Sequence, residues 1–157
     1  RGPAGIPAAS SFIKLRSSVL KRRWILVVVI LILLFIWMQS SIPQDQSRGE
    51  SVWLTAHIVN PFLRLLGLKT VEDELVRKIA HVTEFAVLSV FTMQWWRGRP
   101  VSAFYAGLTV AFLDESVQIF SGRGAQIQDI WIDLIGVGIG MAIGGLIWAI
   151  RSRKRRT

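Results

Sequence analysis

The sequence predicts an all-α integral membrane protein with four transmembrane helices and an amphipathic helix, interfacial or re-entrant, between the first two. Of the 157 residues, 52% are hydrophobic, and they are grouped into long runs rather than scattered. Lys and Arg are concentrated at the two ends and in one short turn. The predicted organisation is a basic cytoplasmic segment (1–23), a transmembrane domain (24–150) and a basic cytoplasmic tail (151–157).

The first predicted span runs from about Trp24 to Met38 and follows the basic residues 21–23. It carries no charge, and Trp24 and Trp37 lie near its ends, where interfacial aromatic residues are common. A span needs about 20 residues, so this one is short unless residues 39–42 extend it. No cleavable signal sequence is predicted, because no Ala-x-Ala-like site follows the run.

A long connection separates the first two spans. Pro43 and the polar stretch 44–50 predict a break in the helix. Residues 51–66 are largely apolar but are interrupted by Pro61 and Arg64, which favours an amphipathic or re-entrant helix at the membrane interface. The acidic residues 72–74 then predict the first turn of the next helix, where negative charge suits the helix dipole.

The other predicted spans cover about Ile79–Trp96, Val101–Phe120 and Ile130–Ile150. Thirteen Lys and Arg residues lie in the N-terminal segment, the 97–100 turn and the tail, whereas six lie in the other connections. Basic segments preferentially stay in the cytoplasm, so both termini are predicted to be cytoplasmic.

With this orientation, a set of polar residues is predicted to lie at the outer end of the bundle as one ligand-binding site. They are Lys78, His81, Glu84, Asp114, Glu115, Gln118, Arg123, Gln126, Gln128, Asp129 and Asp133. A carboxylate that faces hydrocarbon costs at least about 2.5–3.5 kcal/mol. The acids are therefore expected to face one another, Lys78, His81, Arg123 and water.

Helical spacing places Asp129, Asp133, Gly136, Gly140 and Gly144 on one stripe of the last span. Small residues four apart let helix backbones approach closely. The stripe therefore predicts a bundle that is tightly packed on its cytoplasmic side and opens outward around the polar residues.

Simpler interpretations also apply to several of these residues. Lys78 and Asp129 lie near predicted helix ends and could serve only as caps or anchors, and His81 could make an ordinary interhelical hydrogen bond.

The formal charge of +9 is often associated with nucleic acid, but no nucleic-acid-binding motif is present. We expect anionic lipid headgroups as the partner of the basic ends, and no nucleic acid.

Three segments resemble those of VanZ-like membrane proteins in order and spacing. They are Arg77-Lys78-x-x-His81-x-x-Glu84-Phe85, Asp114-Glu115-x-x-Gln118-x-x-x-x-Arg123 and Asp129-x-x-x-Asp133-x-x-Gly136. Each segment alone is a weak signal, and the three together are fairly specific. Phe85 stands where many members have Tyr, and Asp133 stands where many have Asn, which adds a charge to the site.

The resemblance implies a multi-pass protein of the bacterial inner membrane with a role in the cell envelope. The namesake of the family is linked to low-level resistance to teicoplanin, a lipoglycopeptide. Our first hypothesis is therefore a protein that binds a lipid-linked precursor or a lipoglycopeptide antibiotic in the outer leaflet.

Two other hypotheses remain open from the sequence. In the first, the candidate catalytic residues His81, Glu84, Asp114 and Glu115, with Asp129, hold a divalent cation or act as general acids and bases on an envelope lipid or precursor. Their spacing matches no established metal motif. The second, a transporter or proton channel, is less favoured because few polar residues lie in the inner halves of the spans.

Overall fold

The computed structural model describes residues 9–122 and 127–154, and within these ranges it contains helices and no strands. Its elements are α1 (Ala9–Ser40), α2 (Gln44–Leu54), a π-helical turn (Thr55–Val59), α3 (Asn60–Leu65), α4 (Asp73–Trp95), α5 (Pro100–Phe120) and α6 (Ile127–Arg153). The predicted all-α class is confirmed.

Two of the described helices are long and apolar enough to cross a membrane. These are the part of α1 that covers Arg22–Ser40 and the whole of α6, Ile127–Arg153. Helices α4 and α5 are also long, with 23 and 21 residues, but charged residues lie within them, as the prediction of a polar site requires. The crossing of the membrane by α4 and α5 stays a prediction.

Helix α1 differs in extent from the predicted first span. It continues without interruption from the basic residues 21–23 into the apolar run, and it includes Gln39 and Ser40. The extension that the short apolar run required is therefore present.

The polar stretch 44–50 is helical rather than broken, which corrects the sequence prediction. Pro43 has φ −55° and ψ 147°, so the chain turns there and α2 begins immediately after it. Proline suits such a position because its φ is fixed and it has no N–H to donate. The break is thus confined to the turn at residues 41–43.

The segment from α2 to α3 is helical without interruption, contains a π-helical turn and has apolar side chains on its surface. The π-helical turn lies just before Pro61, whose ring and missing N–H disturb regular α-helical bonding. Trp53, Phe62 and Leu65 are exposed, as an interfacial helix requires. Its interfacial or re-entrant position stays a prediction.

The glycine stripe of α6 packs directly on the backbone of α4. A Cβ atom at Gly140 would lie 2.1 Å from the carbonyl oxygen of Ala86, and one at Gly136 would lie 2.5 Å from that of Val82. Only glycine permits this approach without a shift of one helix. The predicted close packing is confirmed.

Helix α1 completes the bundle on the side of α4 and α5. Ile36 is fully buried and packs in a core with Phe85, Leu88, Ala111 and Val137. At the start of the apolar part of α1, the Arg22 guanidinium lies 4.5 Å from the ring centroid of Trp95, at the end of α4. The two helices are therefore antiparallel.

The two ends of the bundle differ in chemistry. One end contains the 97–99 turn and the C-terminal end of α6, where Gln94 Nε2 donates to the carbonyl oxygen of Gly144 at 2.8 Å. The opposite end brings together the C-terminal ends of α1 and α5 and the N-terminal parts of α4 and α6. The predicted site residues lie at this second end.

Candidate functional site

Asp114 on α5 is held in place by neutral hydrogen-bond donors. It is 0% exposed. Ser40 Oγ donates to its Oδ1 at 2.6 Å, and Gln118 Nε2 donates to its Oδ2 at 2.8 Å. Ser121 Oγ in turn lies 2.9 Å from the carbonyl oxygen of Ser40 and donates to it. The carboxylate is therefore fixed by both α1 and α5.

Asp133 on α6 lies beside His81 on α4. The distance between Asp133 Oδ1 and His81 Nδ1 is 3.4 Å, which is longer than a hydrogen bond of about 2.7–3.2 Å. Asp133 is 1% exposed, and neither of its carboxylate oxygens has a hydrogen-bond partner. The close approach of α6 to α4 at Gly136, one turn further along, brings the two side chains together.

His81, Asp114 and Asp133 converge from three different helices. Each offers one nitrogen or oxygen atom, and these atoms all lie within 4.8 Å of one another. Such a spacing suits a shared cation or a shared proton, because two unscreened carboxylates repel each other.

Three further acids surround this group. Glu115 is buried and its Oε1 has no hydrogen-bond partner, and it interacts electrostatically with half-buried Asp129. Glu84, also half-buried, interacts electrostatically with His81. We call these six residues the acidic cluster: His81, Glu84, Asp114, Glu115, Asp129 and Asp133.

Lys78 does not join the acidic cluster. Its ammonium donates to Glu74 Oε1 at 2.5 Å, one turn earlier on α4, and lowers the pKa of that exposed carboxyl. Among the residues that the structure describes, no Lys or Arg forms an ion pair with a member of the cluster. In the described part of the chain, the five carboxyl groups of the cluster therefore have one basic member among them, His81.

Two of the predicted site residues, Arg123 and Gln126, lie outside the described residues. Gln118 binds Asp114 as described above, and Gln128 has an exposed side chain in the first turn of α6. All other predicted members except Lys78 belong to the acidic cluster.

The cluster is more enclosed than the predicted outward-opening bundle. Asp114, Glu115 and Asp133 are buried, and the half-buried residues His81, Glu84 and Asp129 form its accessible edge. The end of α1 closes the cluster, because Ser40 is itself buried against Asp114.

Ser40 and Ser121 were missed as site residues. A signal for Ser40 exists in the sequence, since it directly follows the first apolar run and therefore lies at the same predicted level as Asp114. Nothing in the sequence indicates which face of α1 packs against α5, so its contact could not be predicted.

Comparisons with known proteins relate the chain to one protein family and to a membrane protein. The family model described as VanZ/LLP1 matches residues 24–148, which include every member of the acidic cluster. The uncharacterized membrane protein YwnJ of Bacillus subtilis (strain 168) is 34% identical over 70 residues, or 45% of this chain and 49% of that protein. The chain thus spans about half the length of this curated relative. No solved structure matches significantly.

Proposed function

The chain belongs to the VanZ/LLP1 family, and on this basis we propose that its acidic cluster binds the polar head of a lipid-linked precursor or a lipoglycopeptide. The observation that carries this proposal is the gathering of five carboxyl groups in one cluster, with which no described Lys or Arg forms an ion pair. Three of them are buried, and Glu84 and Asp129 lie at the accessible edge. Buried charge is retained in proteins when a partner compensates it, and a positively charged ligand group is such a partner.

The proposed site lies in the outer leaflet of the bacterial inner membrane. The end of the bundle opposite the acidic cluster carries Arg97 and Arg99 in the turn after α4, and Arg151, Arg153 and Lys154 at the end of α6. Basic segments of this kind stay in the cytoplasm. If α4 and α5 cross the membrane with α1 and α6, both termini are cytoplasmic and the cluster faces outward.

The accessible edge of the cluster determines which ligand group fits. Glu84 and Asp129 are half-buried, so an amine or ammonium group can reach them and form charge-assisted hydrogen bonds. Helix α2, with exposed Trp53, packs against α4. An acyl chain would therefore remain in the lipid beside α2 while its head group enters the cluster.

The test is teicoplanin susceptibility of cells that express the full chain. Wild-type protein is expected to raise the inhibitory concentration, and Asp114→Asn is expected to abolish the increase because it removes a buried charge of the site. Glu50→Gln, which changes an exposed acid in α2, is the matched control and is expected to retain it. Arg123→Ala, which removes the basic residue of the second sequence motif, is also expected to reduce the increase.

Protein levels in the membrane must be equal for this comparison. Full protection by Asp114→Asn at an unchanged level would overturn the proposal, as would the absence of any protection by the wild-type protein.

A further inference from the structure

We propose that His81, Asp114 and Asp133 together bind one divalent metal ion. Imidazole and carboxylate ligands in one site favour a transition-metal ion such as Zn²⁺ or Mn²⁺ over Mg²⁺, which prefers oxygen ligands alone. The inference does not depend on the proposed function, because it concerns the charge balance of the protein itself.

The three side chains lie close to the arrangement that a single ion requires, with their ligand atoms slightly too far apart. Their ligand atoms lie within 4.8 Å of one another. Ligands on opposite sides of one ion are about 4.4 Å apart at most, twice a bond length of about 2.2 Å. Small side-chain rotations of His81 and Asp133, which have no hydrogen bond to break between them, bring the atoms to coordination distance.

Asp133 supplies an independent sign of a missing partner. It is 1% exposed and both of its oxygens lack hydrogen bonds, although its Oδ1 points toward His81 Nδ1. An ionised carboxylate in this position is strongly unfavourable without a cation. Glu115, whose Oε1 is also buried and without a partner, is a second carboxyl group of the cluster that lacks a hydrogen bond.

Two hydrogen bonds from neighbouring side chains orient the carboxyl group of Asp114 as a metal ligand. Ser40 and Gln118 each donate one hydrogen bond to a different oxygen of Asp114, and each oxygen keeps a second lone pair. Carboxylates that bind metals are commonly oriented by such outer hydrogen bonds. Ser40 and Gln118 are therefore positioning residues for the ion.

The ion and a ligand amine do not exclude each other. A divalent ion offsets two of the negative charges, and the acidic cluster contains more carboxylates than that. Glu84 and Asp129 at the accessible edge remain available to the ligand.

The experiment measures metal binding by the full chain, purified in detergent and stripped with a chelator. Zn²⁺ or Mn²⁺ alone is added, and the bound metal is quantified after desalting and by calorimetric titration. We expect one ion per wild-type chain and at least a tenfold weaker affinity for His81→Gln and for Asp133→Asn.

The second histidine provides a matched control. His57 is exposed and stacks on Trp53, with ring centroids 5.1 Å apart, so His57→Gln is expected to bind the ion like the wild type. Ser40→Ala retains all three ligands and is expected to bind more weakly than wild type but more tightly than Asp133→Asn. Circular dichroism and gel filtration identify any variant that does not fold.

Two results would overturn the proposal. One is the absence of stoichiometric binding by the wild-type chain, and the other is an equal loss in His57→Gln and His81→Gln, which would indicate an adventitious ion only. Because no antibiotic is present, failure here leaves the susceptibility test unaffected. Conversely, if cells with Asp114→Asn were as well protected from teicoplanin as cells with the wild-type protein, the proposed function would be overturned. That result would not contradict the metal site.

Discussion

Ser40 Oγ, at the last residue of α1, donates a 2.6 Å hydrogen bond to Asp114 Oδ1 on α5, and both residues are buried. This bond joins the first apolar helix to an acid that is fully enclosed in the bundle. Helix α1 is therefore part of the site and not only a membrane anchor.

Ser40→Ala is expected to lower the free energy of unfolding by about 1–3 kcal/mol, because it removes a donor from a buried charged acceptor. The measurement is thermal or denaturant unfolding of the purified protein in detergent. The substitution is also expected to reduce teicoplanin protection in cells, since Asp114 loses one of the two side chains that orient it.

Ser41→Ala is the matched control for this prediction. Ser41 is the next residue, is exposed, and donates to the carbonyl oxygen of Trp37 in the preceding helix α1. Its replacement is expected to leave stability and protection close to those of the wild type. Equal effects of the two alanine substitutions would show that the interhelical bond is unimportant.

Gly140→Ala is expected to destabilise the bundle by about 1–3 kcal/mol, the usual cost of overpacking a well-packed interior. The added Cβ would lie 2.1 Å from the carbonyl oxygen of Ala86, so α6 must move away from α4. Unfolding in detergent measures the change.

Gly138→Ala serves as the comparison on the same helix. A Cβ at Gly138 meets nothing within 4 Å, and replacing a helical glycine by alanine typically stabilises by about 0.5–1 kcal/mol. Opposite signs for the two substitutions are the expected result. A stable Gly140→Ala protein would contradict the close contact of α4 and α6.

The proposed topology can be tested with single cysteines, because the natural sequence contains none. Thr70→Cys and Lys154→Cys both place a thiol at an exposed position. In intact cells, a membrane-impermeant maleimide is expected to label Thr70→Cys and not Lys154→Cys, whereas both react after permeabilisation. Labelling of both in intact cells would exclude a cytoplasmic C-terminus.

Much of the fold could be predicted because apolar runs and glycine spacing are local signals. The stripe at Gly136, Gly140 and Gly144 indicated a close helix contact, and the structure identifies α4 as the partner. The polar composition of residues 44–50 predicts a break, but the segment is helical, because no residue after Pro43 prevents a helix there.

The sequence predicts which residues lie near one another in the acidic cluster, but not which of their side chains are in contact. Helix direction alone placed His81, Asp114 and Asp133 at one level. Rotation of each helix about its axis decides which side chains meet, and the sequence does not specify it. Lys78 therefore pairs with Glu74 instead of a cluster acid, while Ser40 enters from α1.

Direct binding of teicoplanin to the purified chain tests the central claim, that the acidic cluster is a ligand site. Wild-type protein and Lys78→Gln are expected to bind a fluorescent teicoplanin derivative saturably and with similar affinity. Glu84→Gln is expected to bind at least about tenfold more weakly, because Glu84 lies at the accessible edge and a hydrogen bond to a charged group contributes about 1.5–3 kcal/mol. Equal binding by Glu84→Gln and wild type, or no saturable binding by the wild type, would contradict the account.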